Sequence, residues 1–157
     1  MNVTIINNGA AQQSLSDSIQ LMAVGKNEQV IRDSFTSHLR QIFPESPSWV
    51  VRHIQGSEAA VKIIKGTKGS TGFVDNLVDF TAIEYEGDLT ISSKYNTGYN
   101  QVKDYCSSLV NEGHDPELIV GILSDTVRWY AYDLDLSQLS ADACSRHNII
   151  LNQIEFI

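Results

Sequence analysis

Hydrophobic periodicity along the chain predicts an α/β fold: a central mixed β-sheet flanked by helices, in the order α-β-β-β-α-β-β. Two segments, 27–43 and 96–111, repeat their apolar residues at helical spacing, and the stretches after each read as short β-like runs. A chain of 157 residues, 42% hydrophobic and 19% charged, is long enough to enclose one packed core. Its three prolines and ten glycines are too few for a low-complexity or collagen-like chain.

Residues 1–26 are polar and turn-rich and read as an N-terminal arm, or a short helix beginning near Ser16, ahead of a single domain over 27–157. Asn27 suits a helix cap before Glu28, and Ile31, Phe35, Leu39 and Ile42 follow at spacings of four, four and three. Pro44 and Pro47 stop that helix. Segments 49–54 and 59–64 read as strands separated by Gly56. Segment 65–72 carries two lysines and three glycines but lacks the GxxxxGK[ST] spacing of a phosphate loop, so it reads as a hairpin or strand connection. Segments 72–78 and 80–86 form a further pair of strands broken around Asp79. In 96–111, Tyr99, Val102, Cys106, Leu109 and Val110 share a helix face, and Gly113 and Pro116 end the helix. The continuous apolar run 118–123 has the length of a strand covered on both faces, and 127–134 pairs with it across a turn at Asp125-Thr126. The tail from Ser137 predicts one more helix and ends on apolar residues.

Eleven Lys and Arg against 19 Asp and Glu give a net charge of −8, which argues against a basic nucleic-acid coat or a membrane-surface peptide. It leaves room for an enzyme that meets nucleic acid through a divalent cation, because such sites are built from carboxylates. Cys106 and Cys144 are far apart without a CxxC pair, against a disulfide framework or a structural zinc. The opening residues lack a charged-then-apolar leader, and no apolar run approaches 18 residues, so the expectation is a reduced, cytoplasmic protein with no membrane partner. His38, His53, His114 and His147 lack metal-ligand spacing, and Cys106 reads as core. Trp129, Tyr130 and Tyr132 read as sheet-packing residues, with base stacking as the alternative.

Chemistry concentrates in 75–86. On a strand, Glu84 and Glu86 leave one face while Ile83 and Tyr85 leave the other. Paired carboxylates repel unless a proton, a basic neighbour or a cation intervenes. Asp75, nine residues before Glu84, lies opposite them if a short hairpin joins the strands, giving a hard-oxygen set suited to Mg²⁺ or Mn²⁺. The alternative is a solvated acidic sheet face. Glu28 projects in line with the buried stripe of its helix, toward the acidic strand or simply as a favourable first-turn charge. Gln101 and Tyr105, four apart, share one side of their helix at the border of its apolar face.

In this order the residues resemble the PD-(D/E)XK nuclease superfamily, and in particular the N-terminal nuclease domain of type I restriction subunits and fused restriction–methylation enzymes. The resemblance runs from about Glu28 to Tyr132. It rests on Glu28-x-x-x-Arg32, Gly72-x-x-Asp75, Ile83-Glu84-x-Glu86, Gln101-x-x-x-Tyr105 and the strand–turn–strand 121–130 with Asp125 at its turn. It implies a restriction-endonuclease-like core and metal-dependent hydrolysis of DNA phosphodiester bonds, within a restriction-modification or phage-defence system whose other domains or subunits are partners. By position it assigns the Mg²⁺ or Mn²⁺ to Asp75 and Glu84 with Glu28 as an additional acid. Gln101 and Tyr105 position the nucleic acid, and Gln101 joins Asp75, Glu84 and Glu86 in catalysis. Glu86 stands where the family pattern has lysine, a position some restriction nucleases fill with glutamate.

A lysine from elsewhere is a possible substitute. Lys103 lies on the far side of its helix from Gln101, whereas Lys94 precedes that helix and is better placed. Arg52, Lys62, Lys65 and Lys68 fall within 17 residues, and the three lysines are candidates for backbone phosphates. Two other readings stand beside the nuclease: the same fold without catalysis, as a nucleic-acid-binding or assembly module, and a small acidic interaction domain that meets no nucleic acid.

Overall fold

The computed structural model describes residues 5–55, 57–65, 68–140 and 142–155, which form four α-helices and one six-stranded sheet. The chain runs α1 (Asn8–Ala23), α2 (Glu28–Ile42), α3 (Ser48–Gln55), β1 (Ser57–Lys65), β2 (Lys68–Val78), β3 (Thr81–Tyr85), α4 (Ser92–Asn111), β4 (Val120–Ser124), β5 (Trp129–Leu134) and β6 (Leu151–Ile154). Strands lie side by side in sequence order. Every neighbouring pair is antiparallel except β3 and β4, which run parallel because α4 carries the chain back between them. The architecture is therefore α/β with a mixed sheet, as expected.

Helices α1 and α2 start on matched caps: the Asn7 and Asn27 side chains accept from the Ala10 and Val30 amides at 3.2 and 3.1 Å. Helix α2 buries Ile31, Leu39 and Ile42, the stripe its spacing predicts. Helix α1 begins at Asn8 rather than near Ser16, and the residues it buries are Ser14 and Ser18, so no apolar stripe announced it. Ser18 is held by the Thr126 hydroxyl, which donates to it at 2.8 Å. Segment 49–54, expected as a strand, is instead the helix α3, started by the Pro47 carbonyl accepting from Val50 and Val51. Its β-branched residues suited a strand locally, but Val50 and His53, one helical turn apart, are what it buries.

Strand β2 begins at Lys68, directly opposite Lys65, so most of the expected 65–72 loop is hairpin strand. Asp79, at φ 54°, turns β2 into β3. The two sheet faces carry different layers. Ile83 and Tyr85 face α2 and α3, where Tyr85 meets Phe35 and His53. Ala82 and Glu84 face α4. Under α4, Val102, Cys106 and Leu109 pack on Ile119, Leu123, Tyr132, Leu134, Ile149 and Leu151; burial of each such side chain contributes about 1.5–3 kcal/mol. Gly121 permits this approach: a Cβ there would come within 2.3 Å of Val102 Cγ1 and 3.0 Å of Cys106 Sγ.

The expected helix after Ser137 is only a 3₁₀ turn, Leu136–Gln138, and the tail ends as β6 on the edge of the sheet. Side chains from α4 hold this tail where helical bonds do not. Asn111 exchanges bonds with the Cys144 backbone at 2.8 and 2.7 Å, and the buried Asp104 carboxylate pairs with Arg146. The turn between β4 and β5 is organised by Asp125, fully buried, which accepts from the amides of Leu89, Val127 and Arg128 and from the Arg128 guanidinium.

Candidate functional site

The acids of 75–86 meet where β2 and β3 part. The ladder between these strands pairs Val78 with Thr81, Leu77 with Ala82 and Asn76 with Ile83, then stops. One residue further on, the Asp75 carboxylate accepts the Tyr85 amide at 2.8 Å. Beyond that point β3 stays with β4, the Glu86 amide donating to the Ser124 carbonyl at 2.9 Å. Val74 and Leu77 pack in the same cluster although they are three apart, so alternation along β2 slips once between them, at Asp75 and Asn76.

On the α4 side, Gln101 Nε2 donates to Glu84 Oε1 at 2.7 Å, while Glu84 Oε2 is buried without a hydrogen-bond partner. Burial, then repulsion from Asp75 and, more weakly, from Glu86 and Glu28, pushes the Glu84 carboxyl up to about 9, with the neighbouring Tyr105 hydroxyl acting in the opposite sense. Glu86 is half-buried against Gly98 of α4, and its carboxyl is raised by burial and by Glu28, with Lys94 acting in the opposite sense. A Cβ on Gly87 would come within 2.6 Å of Lys94 Nζ and 4.0 Å of the Glu28 amide nitrogen, so the start of α2, the end of β3 and the first turn of α4 converge here.

Arg32, one turn into α2 from Glu28, donates to Asp75 Oδ1 at 2.5 Å and to Gln29 at 2.6 Å. Asp75 thus carries a guanidinium on one oxygen and a backbone amide on the other. Tyr105 donates its hydroxyl to the Phe73 carbonyl at 2.8 Å, and its ring is buried with Val61, Ile63, Val74 and Ala82. Burial, with Glu84 beside it, pushes the phenol well above its ordinary value. The buried ring and the bonded hydroxyl fasten β2 to α4.

Of the sequence-derived candidates, the structure brings together Asp75, Glu84, Glu86, Gln101, Glu28 and, at their edge, Tyr105. Lys62 is exposed on β1 opposite Thr71, about 13 Å along the strand from Asp75 at the usual rise per residue. The side chains of Lys65 and Lys68 lie outside the described residues. Arg52 is engaged with Asp79 at 2.9 Å. Lys103 leans over the Tyr99 ring, away from the acids, as the helix wheel predicts. Arg32 was legible only as part of a motif; nothing in the spacing said that it would occupy Asp75.

Among the described residues, no group of three or more His, Cys, Asp and Glu side chains is disposed to hold a metal ion by itself. Magnesium does not require one, since it commonly takes one or two carboxylates and completes its shell with water and phosphate oxygens. The unpartnered, buried Glu84 oxygen fits such a ligand, and Asp75 is the acid that acts on it most strongly. Comparison with family models, curated proteins and solved structures finds no match to this chain.

Proposed function

We propose that the chain is a metal-dependent endonuclease-like domain that hydrolyses DNA phosphodiester bonds, as a module of a restriction-modification or phage-defence protein. The observation that carries this reading is the buried Glu84 oxygen with no partner, beside Asp75 and Glu86 at a sheet opening. An acid so placed is uncomfortable as an anion in the protein alone, and a divalent cation would relieve it. The strand order supports the same reading: an antiparallel β1-β2-β3 meander, the α4 crossover and a parallel β4 suit a restriction-endonuclease-like core.

In this reading Asp75 and Glu84 hold Mg²⁺ or Mn²⁺, with Glu28 the outlying acid. The cation supplies charge stabilisation at the scissile phosphate. Gln101 fixes the Glu84 carboxylate through its bond to Oε1. Lys94, near Glu86, supplies the positive charge that the family pattern puts on the strand itself. The test is cleavage of plasmid DNA with Mg²⁺ or Mn²⁺ by wild type, Asp75→Ala and Glu84→Ala. Loss of cleavage in both variants is expected; equal cleavage by all three rejects the site.

The Arg32–Asp75 pair favours a second reading, in which the same fold has lost catalysis and serves as a nucleic-acid-binding or assembly module. There the guanidinium has taken the place of a cation on Asp75. Calorimetric titration with Mn²⁺ separates the two: no metal binding together with retained DNA binding selects the module.

A further inference from the structure

Arg32 is the positive charge held against the central acid of the site. One of its nitrogens donates to Asp75 Oδ1 at 2.5 Å, another to Gln29 Oε1 at 2.6 Å, and Gln29 donates onward to Asp33 at 2.9 Å. The guanidinium has five N–H donors, and two of them make these bonds. Neither partner of the ion pair is sealed in: the Arg32 and Asp75 side chains are 12% and 19% exposed. A polar cavity of about 470 Å³, also lined by Gln29, Asp33, Thr36 and Asn76, borders the pair. The head group therefore has room to turn away from Asp75 while its stem stays on α2.

We propose that Arg32 is the phosphate-binding residue of this site and, through that role, controls its metal. Without DNA it neutralises Asp75; with DNA it passes to a backbone phosphate and leaves Asp75 to the divalent cation. This role rests on the nuclease reading and adds to it a coupling between DNA and metal. Glu28, Asp75, Glu84 and Glu86 act on one another across the seam, and the cations beside them are Arg32 and Lys94. A phosphodiester approaching alone meets a surplus of carboxyls, and a divalent cation approaching alone meets a guanidinium already at Asp75. Arriving together, each removes the other's obstacle. Every charge also keeps a partner throughout. Asp75 exchanges the guanidinium for the metal and Arg32 exchanges a carboxylate for a phosphate, so the step strands no ion. A planar guanidinium fits two phosphate oxygens at once, whereas its bond to Asp75 uses a single nitrogen. Linkage then requires that DNA tighten metal binding by the same factor by which metal tightens DNA binding.

The first measurement is binding of a fluorescein-labelled duplex in EDTA over a range of KCl concentrations, by wild type, Arg32→Met and Arg32→Lys. Arg32→Met should weaken binding about tenfold and reduce the slope of log K against log salt by about 0.9, the loss of one phosphate contact. Arg32→Lys should keep the slope with a smaller loss of affinity, because it keeps the charge without the fork. The second is calorimetric titration of Mn²⁺ with and without a phosphorothioate duplex that resists hydrolysis, the duplex alone being subtracted. The duplex should tighten Mn²⁺ binding about tenfold more in wild type than in Arg32→Met. Circular dichroism confirms that each variant is folded. Equal salt slopes for wild type and Arg32→Met, or equal tightening of Mn²⁺ by the duplex in both, would overturn the proposal and leave Arg32 a fixed clamp on Asp75. Plasmid cleavage by the wild type separates the two failures: cleavage with equal slopes overturns the role of Arg32 alone, whereas no cleavage and no Mn²⁺ binding overturns the nuclease reading with it.

Discussion

Replacing Glu84 with Gln should stabilise this protein at neutral pH, against the usual direction for a change in a buried site. Gln keeps an oxygen for Gln101 and, unlike Glu, has no ionised form through which the unfolded chain gains over a folded state where Asp75, Glu86 and Glu28 oppose the charge. The sign follows from proton linkage. The Glu84 carboxyl is raised from 4.5 to about 9 on folding. Below pH 4.5 it is neutral in both states and costs nothing. Between these values the unfolded chain gives up a proton that the folded one keeps, so wild-type stability falls as pH rises, by about 1.4 kcal/mol per pH unit. At pH 7 the accumulated penalty is about 3 kcal/mol, equivalent to about 6–12 °C in Tm for a chain of this length. Urea denaturation at pH 5, 6, 7 and 8 with EDTA present measures it. The expected result is a variant more stable than wild type by a margin that widens with pH, with Mn²⁺ narrowing the gap by stabilising the wild type alone. Parallel curves for the two proteins across that range would refute both the burial argument and the repulsion among the acids.

Arg32→Met removes the guanidinium from Asp75 while keeping much of the stem volume; a loss of about 1–3 kcal/mol in stability is expected from deleting one charged hydrogen bond to a part-buried carboxylate that keeps the Tyr85 amide. Calorimetry should then find tighter Mn²⁺ binding, because the positive charge that competes with a metal ion beside Asp75 is gone. Asp125→Ala strips four donors of a buried acceptor in the β4–β5 turn and should cost about 3 kcal/mol or more, read as a drop in Tm with unchanged oligomeric state.

Strong periodicity made α2 and α4 legible, with a capping Asn27 marking the start of α2 and no side-chain cap marking that of α4, which begins at Ser92 and not at 96, and the period of two correctly put Glu84 and Glu86 on the face opposite Ile83 and Tyr85. What stayed hidden was settled by distant partners. Helix α1 buries serines because a hydroxyl from Thr126 waits for one of them, a match between residues 108 apart that no local pattern carries. The α3 segment has the composition of a strand and became a helix because one side of it, Val50 and His53, is covered. The edge strand β6, Leu-Asn-Gln-Ile, is too short and polar to stand out, and pairing with β5 defines it. At the acidic site the same division holds: the order of acids was readable from spacing, but the capture of Asp75 by Arg32 and the approach of Lys94 to Glu86 depend on how three separate elements come together.

The one parallel junction of the sheet has a consequence for how the molecule assembles. The meander β1-β2-β3 and the hairpin β4-β5 each form from neighbouring sequence, at small cost in chain entropy. Joining β3 to β4 requires the whole segment 86–119 to close over the sheet, with α4 docked before the pairing is rewarded. Until then the open side of β3, an apolar strand with unpaired amides, is a template for any other extended chain. The β3–β4 junction, on the other side of β3 from the opening where the acids meet, thus waits on the docking of α4, and a partner or ligand that favours the docked helix would act first on yield rather than on activity.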